Sequence, residues 1–403
     1  MERIKVTLEV VTDMFSEGIK SNKEAEFRIP ELKALLRSAF REFFYYTSLD
    51  DLKEKEELLF GSTNKKSPVI IKFTQNNKIR FNDKKKFVLH KNMDKEAIPS
   101  GTKFNITFQS RDQKYLRAYL VILKLASITG ALGKRSRKGM GAFKVINLDN
   151  KIIDINKSFE DLLCGYREEF ETNEKIYVIK TRKFLKEKQY KDSCVKYIIE
   201  CDANMPQDIH YAKSIYKIYL GNLTNEKSME KIDCILRKFS WLTHDRLSNI
   251  NKIFSKETIK KIEKETGEKI NNEKSLEFLF NKDVLGNYNY KYNLKEKKIT
   301  KKSILTRFAC PVYITIYQNT QGELIENYLI IKELNYNYVY KKIIDKKVSD
   351  KIRKLENYNK KVIYENREKI RKKIECQLEE MKPIDEYYVE EFINKTIKCC
   401  EVK

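Results

Sequence analysis

Histidine is nearly absent from this chain: 403 residues contain only His90, His210 and His244. None stands in a metal-ligand spacing, and no HExxH or paired His-Asp pattern occurs, which argues against metallohydrolase and triad chemistry. Eight cysteines are present, among them the terminal pair Cys399-Cys400, but none is spaced CxxC. They read as thiols in a reducing compartment rather than as a metal or disulfide framework. No apolar run approaches the ~18 to 20 residues of a membrane span. The first 25 residues mix charges with short apolar runs and resemble no signal peptide, so a cytoplasmic protein with no membrane partner is expected. Glycine is scarce too, with 12 in the chain.

Two things are abundant. Apolar residues make up 41%, and 24 Tyr with 21 Phe supply large surfaces for burial, so the chain folds and its length suits two domains. Cations exceed acids by 24, which draws the chain to nucleic acid or an anionic membrane surface. A Lys-, Asn-, Ile- and Tyr-rich composition inflates that excess without function. The bias does not explain why some cations are sorted among glycines.

The period of the apolar residues outlines the first half. "RIKVTLEVVT" alternates and reads as a half-buried strand. "PELKALLRSAFREFFYY" has helical spacing, with Pro30 in its first turn, and "SLDDLKEKEELLFGS" is a second, capped helix ending at Gly61. "SPVIIKF" and "KFVLH" read as strands with a hairpin or insertion between them, "TKFNITFQS" as another strand. "DQKYLRAYLVILKLASI" is a mostly buried helix, and "AFKVINL" a closing strand. The order strand, helix, strand, strand, helix, strand is the split βαβ unit of the ferredoxin-like fold, filling residues 1–150. Residues 151–403 form the second expected domain. There "KIYVIK" reads as a strand, "AKSIYKIYLGNL" as helix or strand and "SMEKIDCILRKFSWL" as a helix. "RFACPVYITIYQNTQGELIENYLIIKEL" reads as two strands joined around "NTQG".

Four of the 12 glycines fall in "GALGKRSRKGMGAFK", Gly130 to Lys144, beside Lys134, Arg135, Arg137, Lys138 and Lys144 and no acid. The stretch is neither GxxxxGK[ST] nor GxGxxG, so no nucleotide cofactor is expected. An ordinary turn needs one glycine at a helix end. Four, with "RSRKG" between them, suit a loop whose backbone and cations approach phosphates. Lys33, Arg37 and Arg41 form a second cationic ridge, four residues apart on the first long helix, of the kind that is usually solvated. Residues 341–375 hold 14 Lys/Arg against 6 Asp/Glu and read first as a solvated helix face. Metal-free RNA cleavage needs a base near neutral pKa. "WLTHDR" around His244 is the one candidate with charged neighbours, and a structural histidine is the commoner role. No catalytic residue and no metal site is assigned.

Together, "VTLEVVTDMFSEG", "FRIPELKALLR", "LLFGS" and "GKRSRKGMGAF" resemble the RAMP superfamily of CRISPR proteins, and more narrowly the large tandem-domain RAMP subunit of Cmr (type III-B) effector complexes. In the pattern Arg-x-x-Ser-[Ile/Leu]-Lys-Gly-x-Leu-Arg, this chain matches at Arg28, Lys33, Leu36 and Arg37, with Glu31 and Ala34 in place of Ser and Gly. "RFACPVYI" is similar to the family's Arg-x-Ala-Ser-Pro segment through Arg307, Ala309 and Pro311. The resemblance implies an α+β fold of two tandem ferredoxin-like (RRM-like) domains with helical insertions. It implies an RNA-binding, non-catalytic subunit that contacts the crRNA 3′ region, single-stranded target RNA or both, beside other RAMP subunits. The expected RNA-contacting residues are Arg28, Lys33, Arg37, Gly133, Lys134, Arg135, Arg137, Lys138, Gly139, Gly141 and Arg307. The alternatives are a metal-independent crRNA-processing endoribonuclease of the RAMP type and a scaffold whose basic surfaces touch only protein.

Overall fold

The computed structural model describes residues 1–17, 24–73, 80–88, 93–148, 165–172, 175–182, 184–185, 195–201, 215–222, 236–237, 276–278, 290–293, 298–301, 312–321 and 324–334. The elements are β1 (Glu2–Val10), β2 (Ala25–Glu26), α1 (Ile29–Phe43), α2 (Leu49–Phe60), β3 (Ile70–Phe73), β4 (Arg80–Phe81), β5 (Asp83–Val88), β6 (Met93–Ala97), β7 (Lys103–Ser110), α3 (Gln113–Thr129) and β8 (Phe143–Leu148). Then come β9 (Arg167–Glu171), β10 (Ile176–Lys180), β11 (Phe184–Leu185), β12 (Val195–Cys201), β13 (Ile215–Asn222), β14 (Leu276–Phe278), β15 (Tyr290–Asn293), β16 (Lys298–Lys301), β17 (Val312–Gln321) and β18 (Leu324–Leu334). Contacts divide the chain into one unit of residues 1–237, 312–335 and 397–403 and another of 238–311 and 336–396.

In the first unit β3, β7, β1 and β8 form a sheet in that order, antiparallel throughout. With α1 leaving β1 and α3 joining β7 to β8, this is the strand order of the split βαβ unit. Alternation does the sorting: Ile4, Val6, Leu8 and Val10 of β1 and Phe104, Ile106 and Phe108 of β7 are all buried on one face. Leu32, Leu36, Ala39, Phe40 and Phe43 bury one stripe of α1 in the same core. Each such Val, Leu, Ile or Phe side chain contributes about 1.5–3 kcal/mol on burial.

The sequence pattern carries α1 on to Tyr46, yet the helix stops at Phe43. Phe44 turns extended and bridges Thr181, while Tyr45 donates its N–H to the Lys180 carbonyl at 3.0 Å. Buried Arg182 then covers the helix end, donating to the carbonyls of Phe44 and Arg41 (both 2.9 Å) and to the Tyr46 hydroxyl (2.6 Å). A cation is favourable at this negative end of the helix dipole. "KFVLH" also departs from expectation. It does not join the main sheet; as β5 it pairs with β6, whose "MDKEA" has no apolar alternation to announce a strand. Opposite charges face each other across that hairpin at Lys84–Glu96 and Lys86–Asp94, a stabilising arrangement.

The second sheet runs β11-β12-β13-β18-β17, antiparallel. Of the residues read as helix or strand at 212–223, Ile215–Asn222 are strand β13, and the two strands around "NTQG" are β17 and β18. α3 packs against β7 and β8 and also against β17 and β18. This explains why "YLVILKLASI" is almost wholly apolar and buried all round: both flanks are covered. The α3 N-terminus is capped by Asp112, which accepts from the Lys114 N–H at 2.8 Å. The other unit contributes a small sheet, β14-β15-β16. The helix expected over "SMEKIDCILRKFSWL" is described only at Leu236 and Arg237, which are helical. No helix of the described residues is long and apolar enough to cross a membrane.

The α2 start tests the local reading. Ser48 Oγ accepts the Asp51 N–H at 3.1 Å, so Ser48→Ala should cost about 1 kcal/mol in chemical denaturation, with the α2 contacts otherwise kept.

Candidate nucleic-acid interface

The Gly-rich loop follows α3 and is clipped to the segment that follows β1. Val11 N–H donates to the Ala142 carbonyl (2.7 Å), Gly141 N–H to Asp13 (3.0 Å) and Lys134 N–H to Phe15 (2.6 Å). Buried Thr12 completes the clip, its hydroxyl donating to the Gly139 carbonyl at 2.7 Å and accepting from the Ala142 N–H at 2.9 Å. The glycines are needed for this closeness. Gly133 has φ +80°, and a Cβ there would lie 2.6 Å from the Phe15 carbonyl oxygen. Gly141 has φ +74°, and its Cβ would collide with the Leu132 carbonyl that caps the other side.

The cations hang from the rim of this fixed bend. Lys134 is exposed and pairs with Glu17, while Arg135, Arg137 and Lys138 are half-buried. Arg135 has φ +59°, rare outside glycine, and its guanidinium carbon sits 4.7 Å from the centroid of Phe87 on β5. Arg137 lies 4.8 Å over Tyr313 of β17, and its carbonyl accepts the Ile314 N–H at 3.2 Å. Lys138 bridges Ile314 in parallel register. Each guanidinium thus lies over an aromatic ring, and arginine in such a place is a residue type suited to phosphate. Lys144, by contrast, is buried and bonded to Gln318 (2.5 Å) and Glu9 (3.3 Å), a role within the fold.

The Lys134 hydrogen bond holds the Glu17 carboxyl below the ordinary carboxylate range. Slight burial works against this, and the charges of Lys134 and Lys95 work for it.

Other expected residues lie apart from the loop. Arg28 precedes α1 and pairs with Glu31, which also accepts from Ser16 at 2.6 Å. The Glu31 that replaces the family's Ser therefore supplies an internal partner for Arg28. Lys33 is half-exposed, and among the described residues none pairs with its ammonium group. Arg37 and Arg41 stand on one ridge with it, as spacing requires, but both turn onto α2. Arg37 donates to Glu56 (3.1 Å) and to the carbonyls of Phe60 (3.2 Å) and Gly61 (2.7 Å), covering the α2 C-terminus. Arg41 binds Glu56 with two nitrogens at 2.6 and 2.7 Å. Arg307, the three histidines and residues 341–375 lie outside the described residues. Among the described residues, no group of three or more His, Cys, Asp or Glu could hold a metal ion.

Sequence reasoning missed Phe87, Tyr313 and Glu17. Nothing in the period of "KFVLH" or "PVYITIY" says that one ring of each supports an arginine 48 or more residues away in the sequence.

The family model of the RAMP superfamily matches residues 7–144, from β1 through the Gly-rich loop into β8. Two curated relatives come from Pyrococcus furiosus. CRISPR system Cmr subunit Cmr1-2 is 27% identical over 173 residues, covering 34% of this chain and 92% of the relative. CRISPR system Cmr subunit Cmr1-1 is 25% identical over 170 residues, covering 36% of this chain and 48% of the relative. Solved structures with overall likeness include Cmr1 from Pyrococcus furiosus in its apo form (TM-score 0.43, 14% identity, 83% of this chain and 88% of that one). A chain of the Type III-B Cmr-beta complex bound to cognate target RNA is also similar (TM-score 0.42, 10% identity, 83% of this chain and 95% of that one). The stretch matched by the RAMP superfamily model thus contains the loop, its clip and the ridge of α1.

The two cationic positions on α1 separate fold from surface. Arg37→Ala strands the carbonyls at the α2 end and should cost about 1–3 kcal/mol in thermal or urea unfolding. Lys33→Ala should leave stability within about 0.5 kcal/mol.

Proposed function

We propose that this chain is a non-catalytic RNA-binding subunit of a type III-B Cmr effector complex, built as two tandem ferredoxin-like RAMP domains. The observation that carries the reading is the Gly-rich loop, clipped by its backbone to the end of β1 with Arg135 and Arg137 stacked on Phe87 and Tyr313 at its rim. A preformed, cationic backbone bend meets a ribose-phosphate chain without first having to order itself. The RAMP domain and the similarity to Cmr subunits support the assembly, with other RAMP subunits as neighbours. Under this reading the loop grips the crRNA 3′ region, single-stranded target RNA or both. The track runs through Lys134, Arg135, Arg137 and Lys138 towards Arg28 and Lys33, Gly133, Gly139 and Gly141 shape the bend, and Arg37 is a strut behind it. Arg307 joins the set through its place in "RFACP" alone. Sequence reading falls to base pairing with the guide, so the contacts are to phosphate and tolerant of sequence.

Binding of the purified full chain to single-stranded RNA should therefore weaken with salt. For three to five phosphates, log affinity against log salt should fall with a slope of about −2 to −3.5. Replacing Arg135, Arg137 and Lys138 together by Ala should flatten that slope and weaken binding while circular dichroism stays native. Unchanged binding in the folded triple variant would defeat the reading. Specific cleavage of repeat RNA in chelator would favour the endoribonuclease instead.

A further inference from the structure

The segment between β1 and β2 touches more than the Gly-rich loop. Met14 and Ile98 exchange both backbone hydrogen bonds at 2.9 Å, so this segment runs antiparallel to the end of β6. Three residues on from Met14 is Glu17, and three back from Ile98 is Lys95. Register brings them opposite, with Glu17 Oε1 3.4 Å from Lys95 Nζ. On the other edge, the Phe15–Lys134 bridge brings the Lys134 ammonium to the same Glu17 oxygen. One carboxylate therefore bridges two ammonium groups donated by two different walls, the β5–β6 hairpin and the Gly-rich loop.

Phe87 ties those walls together. Its ring centroid lies 4.7 Å from Arg135, 4.8 Å from Lys95 and, in an edge-to-face pair, 5.0 Å from the centroid of Phe15. All three ionic side chains stay open to solvent, Glu17 at 39%, Lys95 at 40% and Lys134 at 47% exposure. Exposed pairs of this kind contribute little to folding, so stability does not account for the arrangement. A carboxylate and a phosphodiester share what the two lysines read: one negative charge spread over two terminal oxygens.

We propose that Glu17 is a stand-in that occupies a phosphate subsite between the β5–β6 hairpin and the Gly-rich loop, and that a backbone phosphate of bound RNA displaces it from Lys95 and Lys134. The proposal rests on the RNA-binding reading above and adds the hairpin as a second wall of the track. Displacement makes Glu17 a brake. Short-lived or misplaced strands fail to dislodge it, whereas a strand held by the loop arginines does.

The test is oligouridylate binding by the full chain, measured across salt concentrations for wild type, Glu17→Gln, Lys95→Gln and the double variant. Glu17→Gln removes the competitor and should tighten binding about two- to fivefold at low salt. The salt slope should change by less than the roughly 0.7 of one phosphate contact, because the displacing phosphate meets Lys95 and Lys134 in both proteins. Lys95→Gln alone should weaken binding, and in that background the gain from Glu17→Gln should shrink. Equal or weaker binding by a folded Glu17→Gln protein would overturn the proposal, as would a gain that persists undiminished in the Lys95→Gln background. Unchanged binding by Lys95→Gln overturns it even if the Glu17 variant does not fold. Salt-insensitive binding by wild type would instead remove the RNA-binding reading itself.

Discussion

A buried threonine hydroxyl joins the two chain segments on which the interface depends. Thr12 lies just past β1, donates to Gly139 and accepts from Ala142. Around it, backbone bonds from Val11, Gly141 and Lys134 close the same seam. Because these are mostly main-chain contacts, the loop cations are held by the fold itself and not by one another. Mutual repulsion among Lys134, Arg135, Arg137 and Lys138 is thereby borne by hydrogen bonds in a partly desolvated seam, where each is costly to break. A flexible arginine-rich segment would instead lose conformational freedom on meeting its ligand.

The helix α3 extends that constraint to the second sheet. It lies against β8 on one flank and β17 on the other, so β17 can approach the loop that α3 delivers. Thr315 donates to the Gly130 carbonyl at 3.2 Å, Ile314 to Arg137, and Lys144 to Gln318. The result is a bend supported on three sides: by the post-β1 segment, by the β5–β6 hairpin through Phe87, and by β17 through Tyr313. A substitution in any of the three would misplace a cation without removing it.

Much of this was legible in the chain. Alternation marked β1 and β7, helical spacing marked α1, α3 was read as a mostly buried helix, and Ser48 with Gly61 bounded α2 to the residue. These signals are local, and local patterning decides them. The cluster of glycines and cations likewise marked the loop. The end of α1 was missed because Arg182, 139 residues beyond Phe43, competes for its last carbonyls. The pairing of β5 with β6 was missed because β6 is mostly charged and lacks the apolar alternation that identifies half-buried strands. Spacing found the ridge of Lys33, Arg37 and Arg41 but not its purpose, since only α2 in place shows two of the three turned inward. Phe87 and Glu17 carry no pattern at all; tertiary register alone brings them to the loop.

The central claim is that RNA lies along the loop between the β5–β6 hairpin and β17. Photocrosslinking of 4-thiouridine-substituted single-stranded RNA to the full chain, mapped by mass spectrometry, addresses it most directly. The account predicts adducts within residues 134–138 and at Phe87 or Tyr313, lost on competition with unlabelled RNA. Adducts confined to the basic stretch 341–375, with none on the loop or its flanking rings, would contradict it.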